Sequence, residues 1–172
     1  IMGLSDMLRY ILYEGQKPLV PLQQELQMLQ EYINLEKIRY GNKLEVHMEM
    51  PQNTDGVYIA PLLLLPFVEN CFKHGASHVL KNPWINLTIE LKETTLWMKL
   101  MNGKAPEGQE RREPGIGISN VKQRLNLLYK DKHSFQVTED EEVFIVNLRV
   151  ELTRVKKQLQ VALASPADTE MA

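Results

Sequence analysis

Two short clusters carry the residue types that could hold a phosphorylated ligand. The first, Glu69-Asn70-Cys71-Phe72-Lys73-His74-Gly75, ends a run that is otherwise apolar from Pro61 to Val68. Asn70 and His74 are four apart and share a helix face with Lys73 nearby, while Glu69 stands one turn before Lys73. Such a face offers an amide oxygen to a hard cation, an ammonium group to a phosphate and a carboxylate to a proton. The alternative is an amphipathic helix end with a Glu69 to Lys73 surface pair, which is common and weak. The second cluster is Gly115-Ile116-Gly117-Ile118-Ser119-Asn120, between a polar loop and a helical pattern. Its glycines permit close backbone approach, and a helix starting there aims unpaired amides at an incoming anion. Taken alone, the same residues also fit an ordinary junction between a loop and a helix.

The elements that position these clusters follow from periodicity. Leu4, Leu8, Ile11 and Leu12 fall at helical spacing and predict a short helix broken by Gly15 and Pro18. Pro21 suits the first turn of a second helix, in which Leu22, Leu26, Leu29, Ile33 and Tyr40 recur before Gly41-Asn42 ends it. Leu44, Val46, Met48 and Met50 then alternate with polar residues as a strand. The run Leu62 to His74 has helical length, with Gly75 as its C-terminal cap. Ile85 to Leu91 and Leu96 to Leu100 alternate across a short connection and predict an antiparallel hairpin. Residues 102–114 lose periodicity and read as a loop, with a lid as one reading. A helix from Ser119 to Tyr129 and a strand pair, Phe135-Val137 with Phe144 to Val150, complete the pattern. A loose polar tail is expected after about Thr153. The order predicts an α+β fold, a two-layer α/β sandwich with helices on one face of a mixed, mostly antiparallel sheet and a helical extension in front.

Bulk composition narrows the function classes. In 172 residues, 44% hydrophobic and 24% charged, there is room for one core and one helical extension but not for two full domains. A net charge of -2 gives no electrostatic case for nucleic acid, so phosphate binding must be local. The single cysteine, Cys71, excludes an internal disulfide and fits a reducing compartment such as the cytoplasm. The longest apolar candidate, Leu62 to Leu65, is framed by Pro61 and Pro66 and is far short of the roughly 20 residues that span a bilayer. Direct membrane contact by this chain is therefore not expected. The chain enters directly into helical pattern, as a piece cut from a larger protein would.

In this order, with a hairpin between them, the clusters resemble the nucleotide-binding boxes of the GHKL superfamily of gyrase, MutL, Hsp-type chaperones and histidine kinases. Within it, Pro61-Leu-Leu-Leu-Leu-Pro-Phe-Val-Glu-Asn-Cys-Phe-Lys-His-Gly75 is similar to the N box of LytS-like sensor histidine kinases. Gly115-Ile-Gly-Ile-Ser-Asn-Val-Lys-Gln-Arg-Leu125 is similar to their glycine box, and Tyr129 continues the match. Leu8-Arg9-Tyr10 and Leu22 to Tyr32 resemble the end of the dimerisation helix and the linker helix that precede this domain. The resemblance implies a GHKL (Bergerat) ATPase fold over residues 43–153, after a dimerisation and linker segment at 1–42 and before a tail at 154–172.

Carried over by position, the resemblance makes Asn70 the Mg2+ ligand that brings the ATP phosphates in. Glu69 becomes the carboxylate that assists transfer, and Lys73 and His74 lie near the phosphates. Gly115 and Gly117 become the lid's hinge and phosphate-facing backbone, with Ile118 and Asn120 among the nucleotide-binding positions. Two departures stand out. The superfamily's adenine-binding Asp is replaced by Asn102 in Leu100-Met-Asn-Gly-Lys104, and the second glycine of that pattern is absent. The phosphoacceptor motif Pro-His-Phe-Leu-Phe-Asn is also absent. His47 falls in an expected strand, His78 and His133 in expected loops and His74 in the N box, so none is placed as an acceptor. The resemblance therefore implies phosphoryl transfer from ATP to a histidine on an upstream helix, in a homodimer formed through that helix. It further implies a cognate response regulator with a LytTR-type output and a full-length protein anchored in the inner membrane. The alternatives are an ATP-hydrolysing clamp and a degenerate domain that binds partners without turnover. The clamp enzymes generally keep the adenine Asp and lack the Leu8-Arg9-Tyr10 segment, which favours the kinase.

Overall fold

The computed structural model describes residues 2–75, 81–104 and 116–156. Helix α1 (Met2–Tyr13) runs into a 3-10 turn (Glu14–Gln16), and a short strand β1 (Val20–Pro21) leads into helix α2 (Leu22–Tyr40). Pro21, at φ -55, occupies the N-cap of α2, where its missing N–H costs nothing. Gly41 ends the helix at φ 67, a conformation that needs glycine. Strands β2 (Glu45–Glu49) and β3 (Val57–Ile59) follow, then helix α3 (Leu65–Gly75). The hairpin β4 (Trp84–Lys92) and β5 (Thr95–Gly103) precedes helix α4 (Ile116–Leu128), strands β6 (His133–Glu139) and β7 (Val143–Glu151), and a final β8 (Thr153–Arg154).

The main sheet has the order β2-β4-β5-β7-β6, parallel between β2 and β4 and antiparallel elsewhere. Lys92 pairs with Thr95, so the β4-β5 turn has two residues, and Glu93 takes the positive φ (56) that such turns require. Register stacks the inward side chains into rows: Leu87, Leu100 and Val146; Ile89, Met98 and Leu148; Leu91, Leu96 and Val150. All nine except the half-buried Leu91 are buried, and they pack with Phe67, Val68 and Phe72 of α3, Val121 and Leu125 of α4, and Leu26, Leu29 and Ile33 of α2 in one core. Truncating one such leucine to alanine costs about 2–5 kcal/mol. The sandwich with helices on one sheet face is therefore as expected.

Six features differ from the expectation, two of them at strand ends: Asn102 and Gly103, expected in the loop, end β5, and His133, also expected in a loop, opens β6. Helix α3 begins at Leu65 rather than Leu62, because Leu62 sits at φ 59 in a turn and Pro66 lies in the helix's first turn, where a proline is tolerated. Helix α4 begins at Ile116, earlier than Ser119. A second, wholly antiparallel sheet β1-β3-β8 joins three pieces of only two or three residues. The start of the expected loose tail belongs to the fold: Thr153–Arg154 pairs with β3, and Val155, buried, donates its N–H to the Gly56 carbonyl at 2.9 Å.

Candidate functional site

The site is built on α3 and the end of β5. Inward, α3 buries Phe67, Val68, Cys71 and Phe72. Phe72 meets Tyr32 edge-on at 5.8 Å and stacks with Tyr40 at 6.3 Å, which fixes α3 against α2. That packing leaves Asn70 half-buried and Glu69 and Lys73 exposed. The Glu69 carboxyl is raised above the ordinary carboxylate range, first by partial burial and then by Glu36, with Lys73 opposing. The side chain of His74, Gly115 and most of the expected loop, residues 105–114, lie outside the described residues.

Asn102 continues the inward row Leu96, Met98, Leu100, opposite Ile85 and Phe144, and is 2% exposed. A polar side chain in that row needs partners, and among the described residues it has two. Its Oδ1 accepts from Cys71 Sγ at 3.3 Å, and its Nδ2 donates to the Gly103 carbonyl at 2.9 Å. The amide thus ties the end of β5 to the residue after Asn70. One lone pair of Oδ1 remains for a ligand amino group. Burial pushes the Cys71 thiol far up, so it acts as a neutral donor. Gly103 is required by packing, since a Cβ there would stand 2.9 Å from Trp84 Nε1. Lys104 turns away to Glu139 Oε1 and the Asp140 carbonyl, each at 2.7 Å.

The start of α4 lies against the start of α3: a Cβ on Gly117 would be 3.8 Å from Pro66 Cβ. Ile118 is buried at this junction, whereas Ser119 and Asn120 are exposed. The two clusters are therefore brought onto adjoining elements. Among the described residues no group of three or more His, Cys, Asp or Glu side chains could hold a metal. A cation at Asn70 would take few protein ligands and complete its shell with phosphate and water, which fits Mg2+.

The polar contacts around the turn before α3 had no signal in the sequence. Arg124 of α4 donates to the carbonyls of Pro61 (2.9 Å) and Leu62 (3.0 Å), and the Tyr129 hydroxyl accepts from the Ala60 N–H at 2.8 Å. Glu25 of α2 is fully buried and accepts from the Tyr10 hydroxyl at 2.5 Å. Arg124 lay within a recognised motif, but Glu25 sits in Leu22-Gln-Gln-Glu-Leu26 without distinguishing context.

This fold is shared with solved catalytic domains of histidine kinases. The catalytic domain of histidine kinase ThkA overlays with a TM-score of 0.58 at 14% identity, covering 80% of this chain and 97% of that one. ThkA in complex with the response regulator protein TrrA overlays at 0.56, with 12% identity over 88% of this chain and 48% of that one. Within that class the chain is similar to LytS sensor proteins and other sensor histidine kinases, as its boxes implied. It is 27% identical over 146 residues to LytS of Oceanobacillus iheyensis, covering 76% of this chain and 25% of that protein. It is 25% identical over 118 residues to the sensor histidine kinase BtsS of Escherichia coli K12, covering 69% and 21%. The family model described as Histidine kinase matches residues 1–44. The chain spans 25% or less of the length of these curated relatives. Among the described residues no helix is long and apolar enough to cross a membrane.

Proposed function

We propose that the chain is the ATP-binding catalytic part of a two-component sensor histidine kinase, moving the γ-phosphoryl group of ATP to a histidine on an upstream dimerisation helix. The observation that carries this reading is the convergence of the two boxes: Asn70 stands half-buried on α3, whose first turn adjoins Gly117 at the start of α4. Residues 1–42 would supply the end of the dimerisation helix and the linker, and 43–153 the catalytic domain. Asn70 would hold Mg2+, which when bound offsets phosphate charge. Lys73 and His74 would sit beside the phosphates, and the backbone amides of Gly115, Gly117, Ile118 and Asn120 would face them. Glu69, its carboxyl raised, is suited to take the N–H proton lost by the attacking imidazole. The remaining work is positioning, as phosphoryl transfer asks. The free lone pair of Asn102 Oδ1 would face the adenine amino group.

The kinase would act as a homodimer through the upstream helices, be anchored in the inner membrane at full length, and pass phosphate to a response regulator with a LytTR-type output. The ThkA complex with TrrA is in keeping with the regulator. A second reading, a degenerate domain that binds partners without turnover, is favoured by one observation: both ends of the Asn102 amide are already engaged inside the fold. A transfer assay separates them. The chain, Mg–ATP and a separate dimerisation segment bearing the acceptor histidine should give acid-labile phosphate on the segment and none on the chain, slowly because the partners are not tethered. ATP binding without any transfer would favour the degenerate reading.

A further inference from the structure

The residues ahead of α3 are held from several elements at once. Leu62 lies at φ 59, a left-handed conformation that a leucine keeps only when its surroundings enforce it. Its side chain rests against the 3-10 turn after α1, where a Cβ on Gly15 would stand 2.9 Å from Leu62 Cδ1. From α4, Arg124 donates to the successive carbonyls of Pro61 and Leu62. From α2, the Glu25 carboxyl faces the Leu62 and Leu63 amides and the charge of Arg124, while among the described residues its Oε1 lacks a partner in hydrogen-bond geometry. Glu25 is itself gripped from α1 by Tyr10. Tyr129, just past α4, secures Ala60.

We propose that Glu25 and Arg124 are positioning residues for the nucleotide site: by gripping the Leu62 turn from α2 and α4, they make the linker helix, the N-box helix and the glycine-box helix shift as one unit when α1 moves. This rests on the proposed kinase function. Neither residue is placed on the nucleotide; each acts through the turn that aims α3, and hence Asn70. Displacement of α1 would reach the site through Tyr10, Glu25 and Leu62, a chain of contacts in which every link is buried or half-buried.

Hydrogen exchange on the nucleotide-free chain, paired with Mg–ATP titration, tests the grip. Glu25→Ala should speed exchange in residues 117–128 of α4, which Glu25 does not belong to, and Arg124→Ala should speed it in residues 22–33 of α2. Each should weaken Mg–ATP binding by about fivefold, and the double variant should lose no more than the worse single, because both act through one turn. Glu25→Gln keeps an acceptor for Tyr10 and should recover most of the protection and affinity; it and Arg124→Lys serve where an alanine variant does not fold. Exchange changes confined to the mutated element, additive losses, or unchanged affinity in both variants would overturn the proposal. Reciprocal loosening in a chain whose parent binds no Mg–ATP would support the grip and overturn the nucleotide reading instead.

Discussion

Replacing Asn102 by the acidic residue usual in this superfamily should destabilise this chain, although sequence comparison alone would expect Asn102→Asp to be harmless or better. Asn102 is 2% exposed and donates from Nδ2 to the Gly103 carbonyl at 2.9 Å. An ionised Asp sets a second acceptor against that carbonyl and buries a charge beside Ile85 and Phe144. The acid can restore the lost donor only by staying protonated, so its pKa should rise by roughly two to three units on folding. At about 1.4 kcal/mol per unit, the cost at neutral pH is roughly 3–4 kcal/mol. The folded state then holds a proton that the unfolded state has lost, so stability falls as pH rises from about 4 towards 7. Urea unfolding followed by the fluorescence of Trp84 and Trp97 should show near-parental stability at pH 4 and a deficit that widens to pH 7. A variant as stable as the parent at pH 7 would refute the Asn102 to Gly103 bond.

Two further outcomes follow from buried groups. Burial raises the Glu25 carboxyl above the usual 4.5, against the opposing effects of Tyr10, the Leu62 and Leu63 amides and Arg124, and Glu14 is a further charge near Tyr10. Its contribution to stability is thus complete at low pH and lost as pH climbs from about 4.5 through the raised folded value. Glu25→Gln should flatten that part of the curve of melting temperature against pH; parallel curves for the two proteins would contradict the burial. The Cys71 thiol, buried and pushed far up, should resist a thiol-specific reagent at pH 8 in the folded chain and react fully in urea. Rapid labelling of the folded chain would show that α3 opens easily.

The long periodic elements were legible because each buries one face against a common core. The hairpin β4-β5 alternates without interruption, and α2 shows its buried stripe at Leu22, Leu26, Leu29 and Ile33. The strands β1, β3 and β8 were not legible, since two or three residues cannot display a period of two. The onset of α3 was hidden for a different reason. Leu62 to Leu65 is uniformly apolar, and nothing in it marks the left-handed residue that tertiary contacts impose. At the site, the helix that carries Glu69, Asn70 and Lys73 was legible from the length and apolar density of its run. The engagement of Asn102 with Cys71 was not, because it depends on the register of β5 against its neighbours and on the packing of α3 over it. Glu25 reads as one more polar residue of an amphipathic helix, and only the arrival of Tyr10 and the Leu62 turn makes it buried.

Whether Asn70 holds the cation that brings ATP into this site is read out by calorimetric titration of the 172-residue chain with ATP. Saturable binding is predicted with Mg2+ present, with a loss of at least about tenfold when the cation is chelated. Asn70→Ala, a change at a half-buried surface position, should keep the parental fold and melting temperature yet bind Mg–ATP far more weakly. Affinity that is indifferent to both Mg2+ and Asn70 would contradict the account.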